Sequence, residues 1–263
     1  MTLIKSIHVY LVLLVIVLLL LVLIVYPAPA LAFKPDIHGE ITVEALNATQ
    51  PTVDGQKLQF SQEAIKQIVD ANKRTDDPAF QTRSEMHFDS ENFQGGSKRL
   101  IDLRERVIKK ITTTTLGASA RADLGGALHT LQDFYAHSNW VELGKAMNQD
   151  LGRKIFSGAG DGVATCPDDP TVLGGEGLKQ LTSGYFQIRN LGCGAPSGKC
   201  QHGLNALGKE TCSGLNKDEP FRTGFEKARD LAVESSQDFL NQILSDSRVA
   251  GNPKAIKLLL GIS

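Results

Sequence analysis

The sequence of 263 residues predicts an all-α fold, a helical bundle interrupted by a Gly-rich, disulfide-stapled excursion. Three observations carry the prediction. Apolar residues recur at three- and four-residue spacing in several long stretches, as in helices that bury one face. No segment between residues 33 and 140 is rich in strand-like alternation. All four cysteines and about half of the 25 glycines fall between residues 157 and 220, where helical periodicity is lost.

Residues 7–26 are almost purely apolar, with Lys5 the one charge ahead of them. Ala30-Leu31-Ala32 then offers small residues at the positions a signal peptidase reads. The expectation is a signal peptide over residues 1–32, cleaved after Ala32. The apolar run exceeds an ordinary signal core, so an uncleaved anchor through 7–26 is the alternative. Either route exports the body, which is expected to be secreted or extracytoplasmic. Residues 33–263 are expected to form a single domain, with the excursion over 157–220.

The first element of that body is a short helix with Ile37, Ile41, Ala45 and Leu46 on its inner face. Pro51 and Asp54-Gly55 mark a loop over 47–60. Ser61 is placed to cap a helix through Asn72 that buries Ala64, Ile65, Ile68 and Val69. A polar connection from Lys73 to Ser84 follows. A helix capped by Ser97 is expected to about Thr114, with Leu100, Leu103, Val107, Ile108 and Ile111 inward. The next helix runs from about Ser119 to Ser138. Beyond the excursion, an amphipathic helix is expected from about Phe221 to Leu244 and a last short one after Pro253.

With a formal net charge of −1, nothing in the charge suggests an electrostatic footprint for nucleic acid. Cys166, Cys193, Cys200 and Cys212 make an even count in an exported chain, which reads as two disulfides with three pairings open. A four-cysteine zinc site is disfavoured because no pair has C-x₂-C spacing.

The chemistry concentrates in the helix ending at Ser138. His129, Asp133 and His137 stand four residues apart and share one face, about 6 Å between neighbours along the axis. Two imidazoles with a carboxylate between them suit a metal ion; a helix with capped or solvated histidines is the plainer alternative. His38, His87 and His202 complete the histidines outside the signal. Imidazole and carboxylate donors favour zinc, with manganese or iron as alternatives.

The run Leu128-His129-Thr130-Leu131-Gln132-Asp133-Phe134-Tyr135-Ala136-His137-Ser138-Asn139-Trp140 and the segment His87-Phe88-Asp89-Ser90-Glu91 resemble Het-C proteins. That group takes in fungal heterokaryon-incompatibility proteins and the N-terminal region of animal proteins with a von Willebrand A domain. The resemblance continues in Leu181–Phe186, Gly198–Gly203 and Gly214–Asp218, and so covers most of residues 33–230. Het-C proteins are in turn similar to zinc-dependent phospholipases C and fungal single-strand nucleases, which are all-α bundles with a three-zinc cleft.

The resemblance implies a ligand set. Phe33 would give its freed amine and carbonyl, and His38 would join it. Asp76, with Asp77 and Asp70 as rivals, would pair with His87. His129 and Asp133 would follow, Asp133 bridging two ions, and then His137. The further His-x₃-Asp/Glu of those enzymes is missing here, so Glu142, His202 and Asp218 are further candidates for a third ion. The implied function is an exported zinc-dependent phosphodiester hydrolase with two or three zinc ions, phospholipase C-like, acting on phospholipid at a membrane surface. Asp76 would handle the attacking water as the catalytic residue. The alternatives are a catalytically inactive Het-C-like cell-surface recognition protein with structural metals, a nuclease-like hydrolase, or an envelope-targeting effector. Nucleic acid is not favoured as a partner, and the oligomeric state is left open.

Overall fold

The computed structural model describes residues 33–187, 193–206 and 209–262. The expected signal or anchor over 1–32 lies outside them. Among the described residues there are seven α-helices, two short 3₁₀ turns and two small antiparallel ribbons, so the fold is predominantly α. The helices are α1 (Pro35–Ala48), α2 (Gln62–Lys73), α3 (Ser84–His87), α4 (Phe93–Thr113), α5 (Gly117–His137), α6 (Phe225–Leu244) and α7 (Pro253–Leu260). No helix among these residues is long and apolar enough to cross a membrane.

Helix α5 is the axis of the bundle. Helices α2, α4 and α6 pack around it, and every residue from Leu124 to His137 is buried. An all-round buried helix is what a bundle centre requires. Its approach to α2 depends on Gly125. A Cβ there would run into the Ile68 carbonyl oxygen and lie 2.7 Å from the Ala71 Cβ. The core is one cluster drawn from every helix except the single-turn α3, and Phe88, Phe93, Phe134, Trp140 and Phe156 cap it at the C-terminal end of α5.

Several element boundaries differ from the expected ones for local reasons. Helix α4 starts at Phe93 because the Asn92 side chain accepts from the Gly95 amide, while Ser97 lies inside the helix and its hydroxyl donates to the Phe93 carbonyl. Helix α6 starts at Phe225, after Gly224 in the left-handed conformation. The 47–60 loop carries a two-residue hairpin, β1 (Thr52–Val53) with β2 (Gln56–Lys57), turned at Asp54-Gly55.

The chain between α5 and α6 forms the excursion. It holds a 3₁₀ turn (Gly175–Leu178) and the ribbon β3 (Leu204–Ala206) with β4 (Lys209–Cys212). Among the described residues its own apolar cluster is Cys166, Cys200 and Leu215, with Leu173 against them. The disulfides are Cys166–Cys200 and Cys193–Cys212.

Candidate metal centre

The C-terminal half of α5 presents His129, Asp133 and His137 on one face, toward α1, the turn after α2, and α3. All three are buried. Asp133 is the hub. One carboxylate oxygen lies 3.1 Å from His38 Nε2 on α1 and 4.0 Å from His137 Nε2. The other lies 2.9 Å from both His129 Nε2 and His87 Nδ1, the latter on α3. Asp76, at the end of the 3₁₀ turn after α2, brings an oxygen to 3.5 Å from His129 Nε2.

A second set surrounds His137. Its Nδ1 lies 3.0 Å from Asp89, and its Nε2 lies 3.3 Å from Asp218. His202 Nε2 stands 3.6 Å from Asp89, and the His137 and His202 rings meet edge to face at 4.3 Å. Three groups of donors thus converge closely enough to hold metal ions: His38, His129 and Asp133; Asp76, His87 and His129; and Asp89, His137 and His202.

The outer nitrogens of these rings are oriented by amide and carbonyl oxygens. His38 Nδ1 meets Gln132 Oε1 at 2.6 Å, His129 Nδ1 meets Asn72 Oδ1 at 3.3 Å, and His137 Nδ1 meets the His87 carbonyl at 2.8 Å. His202 Nδ1 donates to the Gly203 carbonyl. With an oxygen acceptor behind each ring, Nδ1 carries the proton and Nε2 turns a lone pair inward, the arrangement that suits a ligating histidine. Gln132 and Asn72 are themselves fixed by Thr42 and each other, in a buried polar layer beneath the site.

Inside the centre, hydrogen bonding runs out. His38 Nε2, both Asp76 oxygens, His87 Nε2, one oxygen each of Asp89, Asp133 and Asp218, and His137 Nε2 are buried with no hydrogen-bond partner. Several approach one another within ion-pair distance but in the wrong orientation, lone pair toward lone pair. Buried polar groups are rarely left this way, and a cation among them would satisfy these atoms. The donor set therefore fits a metal ion.

Burial, followed by the facing Asp133 carboxylate, pushes the Asp76 carboxyl well above its ordinary pKa. Burial acts the same way on Asp133, but His129, His137 and His38 outweigh it and hold that group well below the carboxylate range. Burial keeps His129 neutral, with its pKa lowered to about 3. Burial also lowers His202, and His137 adds to the effect. His137 goes the other way: burial opposes its charge, yet Asp89 and Asp133 carry its pKa well above the ordinary value.

The remaining sequence candidates fall as follows. Phe33 is buried beside the centre, its ring 5.5 Å from His38. Glu142 faces away; it pairs with the buried Lys217 at 3.0 Å. Asp76, not Asp77 or Asp70, points inward; Asp77 is exposed and Asp70 pairs with Lys66. Asp89 is the ligand candidate that sequence reasoning missed. Its signal was its place two residues after His87, and Phe88 in the left-handed conformation turns it toward His137.

A family model described as the VWA7 N-terminal domain matches residues 41–252. The chain belongs to the VWA7 N-terminal domain family. Proteins named von Willebrand factor A domain-containing protein 7 from Mus musculus and Homo sapiens are 38% and 35% identical to it. Each alignment covers 59% of this chain. The chain spans 18% of the length of these curated relatives. No solved structure matches it.

These matches correct the expected Het-C membership, and with it the expected phospholipase C-like or other phosphodiester hydrolase, which rested on that resemblance. A cavity of about 10 Å³ lies among Asp76, His87, Asp89, His137, Phe186 and His202. A cavity of about 600 Å³ lies between the end of α1 and α6, and none of the clustered histidines or aspartates lines it.

Proposed function

We propose that this VWA7 N-terminal domain is a metal-binding module that holds three zinc ions, one by His38 and Asp133, one by Asp76, His87, His129 and Asp133, and one by Asp89, His137, His202 and Asp218. The observation that carries the reading is the set of buried, inward-facing oxygens and nitrogens with no hydrogen-bond partner. Zinc is the ion because the donors are imidazole nitrogens with carboxylates and no cage of oxygens. Asp133 would serve two ions through its two oxygens, which face different groups. The ions would tie α1, the turn after α2, α3 and the excursion to α5, so that metal binding and folding are linked. Two disulfides that use all four cysteines support placement in an oxidising, extracytoplasmic compartment.

The test is zinc content after equilibrium dialysis, by elemental analysis, for the wild-type protein and Asp133→Asn. Three equivalents in the wild type, falling to one in the variant, is the expected outcome, since the amide can no longer join His38, His129 and His87. A wild-type protein that binds no zinc, manganese or iron removes the reading.

A further inference from the structure

The three donor groups differ in what holds them. His38, Asp76, His87, His129 and Asp133 all sit on the bundle or its tight turns. The group around His137 does not. His202 and Asp218 lie in the excursion, and Asp89 lies in a loop that the excursion clamps. That loop places three non-glycine residues, Phe88, Ser90 and Glu91, in the left-handed region, which is costly without outside support. The support is visible. Ser90 N donates to the Gly184 carbonyl at 2.8 Å, Glu91 N donates to Ser183 Oγ at 2.8 Å, and Lys199 pairs with Glu91 at 2.7 Å in a buried ion pair.

His202 itself is held by backbone on both sides. Its N–H donates to the Tyr185 carbonyl, and its carbonyl accepts from Asn216 N at 3.0 Å. Gly184 and Gly214 make this possible, since a Cβ on either would collide with the His202 backbone. Two residues before His202, Cys200 is fully buried and bonded to Cys166. The Cys200 carbonyl accepts from Tyr185 N at 2.8 Å, and the Thr165 and Cys166 amides donate to the Gly198 carbonyl. Among the described residues, this disulfide supplies two of the three buried members of the excursion's own apolar cluster. The bundle core contains none of the cysteines.

We infer that the ion position formed by Asp89, His137, His202 and Asp218 exists only in the disulfide-bonded protein, with Cys166–Cys200 as its positioning element, whereas the two positions built on the bundle need neither disulfide. The inference rests on the metal-binding reading above. It makes an oxidising compartment a condition for full metal loading, and it assigns Asp89 and Asp218 to the same ion as His202.

The experiment compares zinc content and far-ultraviolet circular dichroism of the zinc-loaded wild-type protein, C166A/C200A and His202→Ala. Expected are three zinc equivalents in the wild type and two in each variant, with the helical signal retained in all. Three equivalents in a folded C166A/C200A protein overturn the inference and leave the metal-binding reading standing. Loss of the helical signal in C166A/C200A overturns it too, because the bundle then does not stand without the disulfide. His202→Ala keeping three equivalents shows that the third position lies elsewhere. Zinc absent from the wild type itself overturns the metal-binding reading.

Discussion

Among single residues, Gln132 shows how much of the centre lies behind the ligands. Its oxygen takes the His38 Nδ1 proton and an Asn72 donor, and its amide nitrogen reaches Thr42 and Ser236. Gln132→Leu keeps the volume and removes the acceptor, so His38 loses the contact that fixes its tautomer. Zinc affinity at the His38 position should fall by roughly 10–100-fold, with the helical signal unchanged. Competition against a chelator of known affinity measures it. The row His129, Asp133, His137 was legible because a helix puts residues four apart on one face. Asp89 was not, because its inward direction depends on the positive φ of Phe88, a conformation that no propensity of phenylalanine suggests. Lys217 was equally hidden: a fully buried lysine, paired with Glu142 and donating to the Ser138 and Leu215 carbonyls, looks like a surface residue in sequence.

At the level of elements, helical periodicity revealed most of the bundle, and capping chemistry set the ends. The bounds of α4 moved because Asn92 and Ser97 both look like caps, and only the first leaves Phe93 free to enter the core. The seam between α2 and α5 yields a prediction against propensity. Alanine is the better helix former by about 1 kcal/mol, yet Gly125→Ala should destabilise the protein by about 1–3 kcal/mol, because the Cβ meets α2 backbone. Chemical denaturation reads the sign.

A second prediction concerns the seam between α6 and the start of the excursion. Arg153 forms two bonds to Asp238, at 2.6 and 2.8 Å, and Gln242 adds a third. Burial opposes ionisation of Asp238, but the Arg153 and Gln242 hydrogen bonds and the Arg153 charge hold its pKa below the ordinary value. A depressed carboxyl stabilises the fold above its unfolded pKa and loses that contribution as the pH falls through the folded one. Arg153 is partly exposed, so screening limits the effect to roughly 0.5–1 kcal/mol. Asp238→Asn should therefore be less stable than wild type at pH 7, and the gap should close as the pH drops below about 4. Equal gaps at both pH values would mean that the pair acts through packing alone.

For the whole molecule, one large core holds the helices, while the excursion relies on disulfides, glycine-permitted close approach and buried ion pairs. The fold class was readable because it rests on helical periodicity. The course of the excursion was not, because no periodic pattern encodes which carbonyl meets which amide, nor which of three disulfide pairings forms. The chain spans 18% of the length of its curated relatives.

Diffraction from crystals of the zinc-loaded protein, collected on either side of the zinc absorption edge, tests the metal centre most directly. Three anomalous peaks are expected: one by His38 and Asp133, one by Asp76, His87, His129 and Asp133, and one by Asp89, His137 and His202, each about 2.0–2.2 Å from its ligand atoms. A map with no peak among these residues, their side chains bridged by protons alone, would contradict the metal-binding reading.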